Sequence, residues 1–182
     1  MNFPRPRRAA RMLPAAIMSA ALLVAAFDAK AQSSPPVKLA LFAFELEDFS
    51  GGAGFSGDSP DDTAQLAMAT NEAGRLLEQS GRYRLVDVAR SDAQAVKTHS
   101  LRWCNGCDAG AALRLGADQS LVGVITRISR TEYTVQVQIR DARSGEVIFK
   151  KRSDLRMGAN YSWPRGAVAL IKDFTNANEK AE

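Results

Sequence analysis

The sequence predicts a mixed α/β (α+β) domain: one mixed sheet of about five strands with helices packed on it, in the order β-α-β-α-β-β-β-α. Three observations predict it. A nearly all-apolar run, Val37 to Leu46, opens the domain and reads as a central strand buried on both faces. Helix-periodic stretches separate it from the next two strand-like runs, so those three strands should run parallel. Tight turns join the last three, which should form an antiparallel meander.

The elements follow in order. Glu47 to Ser59 is a Gly/Ser-rich loop. Ser59 then reads as an N-cap, with Pro60 at the first helical position and Asp61 and Asp62 suited to the positive helix end. Leu66, Ala69, Ala73, Leu76 and Leu77 recur at helical spacing until Gly81, a C′ stop. Arg82 to Val88 alternates as a second strand. Ser91 to Thr98 reads as a short helix and Asp108 to Leu115 as a better one, closed by Gly116. Ser120 to Ile128 is the third strand. In Glu132 to Asp141 alternation puts Tyr133, Val135, Val137 and Ile139 on the core face. It turns Thr134, Gln136 and Gln138 to solvent or a partner. Ala142 to Gly145 makes a turn, Glu146 to Leu155 a fifth strand, and Ser162-Trp163-Pro164 starts a last helix with Val168, Ile171 and Phe174 on one side.

The first 31 residues read as a secretory signal. Arg5, Arg7, Arg8 and Arg11 form a positive start, Met12 to Phe27 an apolar run, and Ala29-Lys30-Ala31 a small-x-small cleavage pattern. The run has 16 residues, short of the roughly 20 that span a bilayer. Cleavage after Ala31 would leave a loose start at residues 32–36, one domain over 37–175 and a polar tail at 176–182. No cysteine stands near the cleavage point and no later segment is apolar and long enough to span a membrane, so the mature form is expected to be neither a lipoprotein nor membrane-spanning, and periplasmic or secreted.

Charge narrows the partners. The chain has 24 bases and 20 acids, and the first 31 residues carry five of those bases and one of the acids, so the remainder holds 19 of each. A neutral domain has no general attraction to phosphate backbones, so no nucleic-acid partner is expected.

Three phrases then stand out together: "FAFELEDFS" at 42–50, "SGRYRLVDV" at 80–88, and "LRLGADQSLVGVITRIS" with "YTVQVQIRDARSGEVIFKK" over 113–151. They resemble the domain shared by the amino-terminal part of TolB proteins and by CsgG-like proteins, in which a "GAD…G" step enters a strand and a "D-A-x-[ST]-G-E" turn joins two. The sequence is more similar still to small secreted proteobacterial domains of unknown function that carry "CNGC" before "LGAD". The resemblance covers roughly residues 37 to 174 and implies a periplasmic domain of TolB-amino-terminal type. Propeller repeats and pore-forming insertions are missing, so neither the Tol role nor a secretion channel carries over.

Five patterns bear on chemistry. Cys104 and Cys107, the only cysteines, frame Asn105-Gly106 ahead of a helix. In an oxidising compartment a structural disulfide is the first reading. A thiol-redox pair at a helix start is the alternative, and Asp108 excludes a CxxCH haem site. Gly52-x-Gly54-x-x-Gly57 matches a dinucleotide fingerprint by letters, but Asp58, Asp61 and Asp62 would repel a pyrophosphate at the helix start. Six acids between residues 45 and 62, among them Asp48, Asp58, Asp61 and Asp62, are weak candidates for a hard cation. His99, the only histidine, shows no partner pattern for catalysis, and Lys150, Lys151, Arg152 and Arg156 form a basic run that reads as a protected sheet edge or as a docking patch for an acidic partner. The expectation is therefore an exported, non-enzymatic interaction or accessory domain with no cofactor and an unidentified periplasmic protein as partner. The alternatives are a thiol-redox accessory protein, and a small-ligand or cation binder through residues 47–62.

Overall fold

The computed structural model describes residues 35–51, 59–89 and 100–179. The signal-like segment, the glycine fingerprint, Asp58, the short helix expected at Ser91 to Thr98, and His99 lie outside these residues.

Among the described residues seven strands form one mixed sheet: β1 (Val37–Leu41), β2 (Glu45–Asp48), β3 (Tyr83–Leu85), β4 (Gln119–Ser129), β5 (Glu132–Asp141), β6 (Val147–Arg152) and β7 (Arg156–Met157). The helices are α1 (Pro60–Gln79), α2 (Cys107–Arg114) and α3 (Trp163–Glu179), with short 3₁₀ turns at Leu101–Trp103 and Asn160–Ser162. The sheet order is β3-β1-β4-β5-β6, with β2 also on β4 and β7 also on β5. β1 runs parallel to β3 and β4, while β4, β5 and β6 are antiparallel, as the crossover and turn lengths predict.

Five expected strands become seven because the first breaks in two, and the last ends early with β7 forming beyond its expected end at Leu155. Between the pairs Leu41–Leu121 and Glu45–Val124 the first strand advances four residues while β4 advances three. The extra residue is a bulge. The Phe44 N–H leaves the ladder and donates to Thr70 Oγ1 of α1 at 3.0 Å. The bulge inverts the alternation. Leu39 and Leu41 point to the main core before it, Phe44 and Leu46 after it, so Glu45 and Glu47 turn to the opposite face. Gly123 of β4 accommodates the change, because a Cβ there would stand 2.4 Å from the Phe44 ring. The last strand ends before Ser153, whose hydroxyl takes the place of a backbone acceptor for Val135 N–H at 3.0 Å.

α1 starts as its sequence dictates. Ser59 Oγ accepts from Asp62 N–H at 3.1 Å and Pro60 opens the helix. Past its end Gly81 takes φ +69°, a conformation that side chains resist. Leu66, Ala69, Ala73 and Leu77 of α1 meet Trp163, Ala167, Leu170, Ile171 and Phe174 of α3 over one face of the sheet. Tyr133, Val135, Val137 and Ile139 join them, none more than 3% exposed. A second core on the other face joins Ala40, Phe42, Val122 and Val124 to Leu101 and to Ala111 and Ala112 of α2. The first strand is therefore buried on both faces. Thr134 corrects the expectation of a wet face. It is 9% exposed, because it lies opposite Thr126, whose hydroxyl donates to Glu47 from the inverted strand at 3.1 Å. Gln136 and Gln138 are half-buried.

Candidate functional site

On the face away from α1 and α3, the sheet meets the 3₁₀ turn and the bend that follows it. Between them lies a groove of about 200 Å³. Its floor is Val122 and Val124 of β4, Gln136, Gln138 and Arg140 of β5, and Lys150 of β6; its wall is Leu101 to Asn105.

The wall is fixed by a carboxylate. Because the bulge inverts β2, Glu45 reaches the unsatisfied start of the 3₁₀ turn. Its Oε1 accepts from Leu101 N–H at 2.6 Å, and its Oε2 from the Ser100 hydroxyl and from Arg102 Nη1 at 3.1 Å. Leu101 then anchors in the second core, 5% exposed. Trp103 stands 69% exposed at the rim, with the Arg102 guanidinium 5.7 Å from its ring centre. Such an exposed cation–π pair is worth about 0.5–1 kcal/mol.

Cys104 and Cys107 are joined as a disulfide, their Cα atoms 5.7 Å apart. The chain turns between them at Gly106, with φ +100° at the N-cap of α2. Cys104 is half-buried and Cys107 exposed. The next residue, Asp108, is only 1% exposed. It accepts from Ser120 Oγ at 2.6 Å and pairs with Arg140 Nε at 3.5 Å. Arg140 also donates to Gly145 O at 2.9 Å and to Asn105 Oδ1 at 3.4 Å. Turning the Gln138 amide oxygen toward Arg140 brings it within 3.1 Å of Nε. The bend, α2 and the groove floor are thus tied through one half-buried arginine.

The basic run divides by strand alternation. Lys150 and Arg152 lie opposite Gln138 and Gln136 and share the groove face. Lys151 points the other way and pairs with Asp173 of α3 at 2.7 Å. Arg156 lies in a separate, more open hollow of about 470 Å³ with Tyr133, Met157, Ser162 and Arg165. Lys150 and Arg152 make no ion pair among the described residues.

Two of the acidic candidates among the described residues are held by an arginine. Asp48 and Asp62 converge on Arg127, with Asp48 Oδ2 2.9 Å from Nη1 and Asp62 Oδ1 bonded to Nη2. Asn160 Nδ2 donates to the same Asp62 oxygen at 3.0 Å, and the guanidinium lies 4.9 Å from the Trp163 ring centre. Burial alone would raise the Asp62 carboxyl, but the hydrogen bonds from Arg127 and Asn160 and the guanidinium charge outweigh it and hold it below its ordinary value. Asp61 is exposed. Among the described residues no group of three His, Cys, Asp or Glu side chains could hold a metal.

The Cys104–Cys107 segment is conspicuous in the sequence, whereas the meeting of Glu45, Asp108 and Arg140 beside it is not. A hydroxyl inside an apolar strand, Ser120, was the available sign of a buried polar partner.

A family profile named DUF3280, described as "Protein of unknown function (DUF2380)", matches residues 37–174. No curated protein matches the sequence. Among solved structures, the chain is similar to the LpoB C-terminal domain from Salmonella enterica, at 17% identity and TM-score 0.46, covering 68% of this chain and 84% of that one. It is similar to lipoprotein GNA1162 from Neisseria meningitidis, at 14% identity and TM-score 0.44, covering 79% and 97%. TolB from Acinetobacter baumannii matches at 12% identity and TM-score 0.47, covering 79% of this chain and 29% of that one.

Proposed function

The chain belongs to the DUF3280 family, and from the groove we propose that it is an exported, non-enzymatic accessory domain that docks a protein partner in the cell envelope. One observation carries the reading. Among the described residues the groove is lined by three cations, three side-chain amides and an exposed tryptophan, with no carboxylate. Arginine and tryptophan are the side chains that most often anchor protein interfaces. A volume of about 200 Å³ falls short of the roughly 300–1,000 Å³ of small-molecule and cofactor sites, so a partner's side chain suits it better than a cofactor. The signal-like first 31 residues and the paired cysteines support export to an oxidising compartment.

The test is a pull-down from periplasmic extract with the native chain and with Gln138→Trp, which fills the groove. A protein retained by the first and lost with the second supports the reading. Equal retention removes the groove from it.

The redox alternative rests on Cys107, exposed at the first turn of α2. Asp108 opposes it, since a reactive thiolate is favoured by positive surroundings. Insulin reduction that disappears with Cys107→Ser would replace the docking reading.

A further inference from the structure

Building on the docking reading, we propose that the partner contributes an acidic extended segment, which adds to the sheet as a strand along the free edge of β6 and sets carboxylates two residues apart against Lys150 and Arg152. Among the described residues β6 ends the strand order and pairs only with β5. Its outer backbone groups therefore offer a template for one more strand. A bulge at Ile148, where the pairs Ile139–Phe149 and Arg140–Val147 leave it unmatched, lies at the start of β6. Phe149 to Arg152 remain regular and pair with Ile139 to Gln136.

Charge chooses the occupant. Three consecutive cations, Lys150 to Arg152, line this edge. A second copy pairing edge to edge would bring like charges together, which destabilises a strand pair. Lys151 is already matched by Asp173. Lys150 and Arg152 are not matched among the described residues, and both share the groove face. Side chains of an added strand alternate, so only acids at i and i+2 would both meet them. The intervening residue falls on the helix side, beside Lys151. Strand addition gives affinity through the main chain and specificity through alternate side chains.

The experiment uses the full mature chain and synthetic peptides, followed by fluorescence anisotropy and amide hydrogen exchange. One peptide carries Glu at alternate positions, a second has the same composition with its Glu residues adjacent, and a third is the first with alternate backbone amides methylated. The first peptide should bind and protect the amides of 147–152. The second should bind more weakly and the third should fail. Lys150→Glu/Arg152→Glu should weaken the first peptide by roughly tenfold, as expected for the loss of two exposed ion pairs. Lys151→Glu, whose side chain lies on the other face, should change binding little. Indifference to Glu spacing and to methylation would overturn the strand, and so would self-association through β6. If the peptide fails while a retained partner is still lost with Gln138→Trp, docking stands and only strand addition falls. If both fail, both fall.

Discussion

Replacing Asp108 by Ala removes the carboxylate that ties α2 to the groove floor. Asp108 is 1% exposed and holds Ser120 Oγ at 2.6 Å. A hydrogen bond to a charged group contributes about 1.5–3 kcal/mol. The ion pair adds less than its burial suggests. Breaking a fully buried pair costs roughly 3–5 kcal/mol, but the Nε–Oδ1 separation is 3.5 Å and the Arg140 side chain remains 13% exposed. Arg140 also keeps its bond to Gly145 O. The two effects share one carboxylate and do not add in full, so a total near 3 kcal/mol is expected. For a domain of this size that lowers Tm by roughly 6–12 °C. Asp108→Asn keeps an oxygen for Ser120 and should cost less than half as much. Urea unfolding of the chain, followed by far-UV circular dichroism, measures both variants. A loss below about 1 kcal/mol for Asp108→Ala, with an unchanged m-value, would refute the buried tie.

Further outcomes follow from single contacts. Gly123→Ala places a Cβ 2.4 Å from the Phe44 ring and should cost about 1–3 kcal/mol by overpacking; thermal unfolding checks this, and Phe44→Leu in the same chain should recover part of it. Asp62 has a folded pKa below its reference value of 3.8, so its contribution to stability is fully present above that value and is lost as pH falls through the folded value. Urea midpoints of native and Asp62→Asn chains should therefore differ at neutral pH and converge in acid; a constant gap would contradict the Arg127 pairing. Val137, 0% exposed in the main core, should not tolerate Asp, while half-buried Gln136 should accept Lys within about 0.5 kcal/mol; similar soluble yield and unfolding midpoints for the two would reverse the assignment of faces.

The meander was legible because apolar and polar residues alternate without interruption from Tyr133 to Arg140, and a one-residue slip would expose four apolar side chains. The helix start at Ser59-Pro60 was legible because its cap and first-turn residues act locally. The bulge before β2 was not. Every residue from Leu39 to Phe44 is apolar, so no change of alternation marks the extra residue, and its donor goes to Thr70, distant in sequence. The role of Glu45 was hidden for the same reason. It stood in a row of acids that suggested a cation, whereas the inverted strand sends it to the 3₁₀ turn and leaves Asp48 and Asp62 to Arg127. The Cys104–Cys107 segment announced itself. Its neighbours in space, Arg140 and Gln138, come from a strand more than thirty residues away, and no local pattern connects them to it.

The groove face, and not the face covered by α1 and α3, is expected to meet the partner. Site-specific photo-crosslinking in living cells tests it most directly. The exported chain would carry a crosslinking residue either at Gln138, in the groove, or at Met68, half-exposed on α1 at the opposite face. The account predicts a discrete protein adduct from position 138 and none from position 68. An adduct from 68 with 138 silent would contradict it.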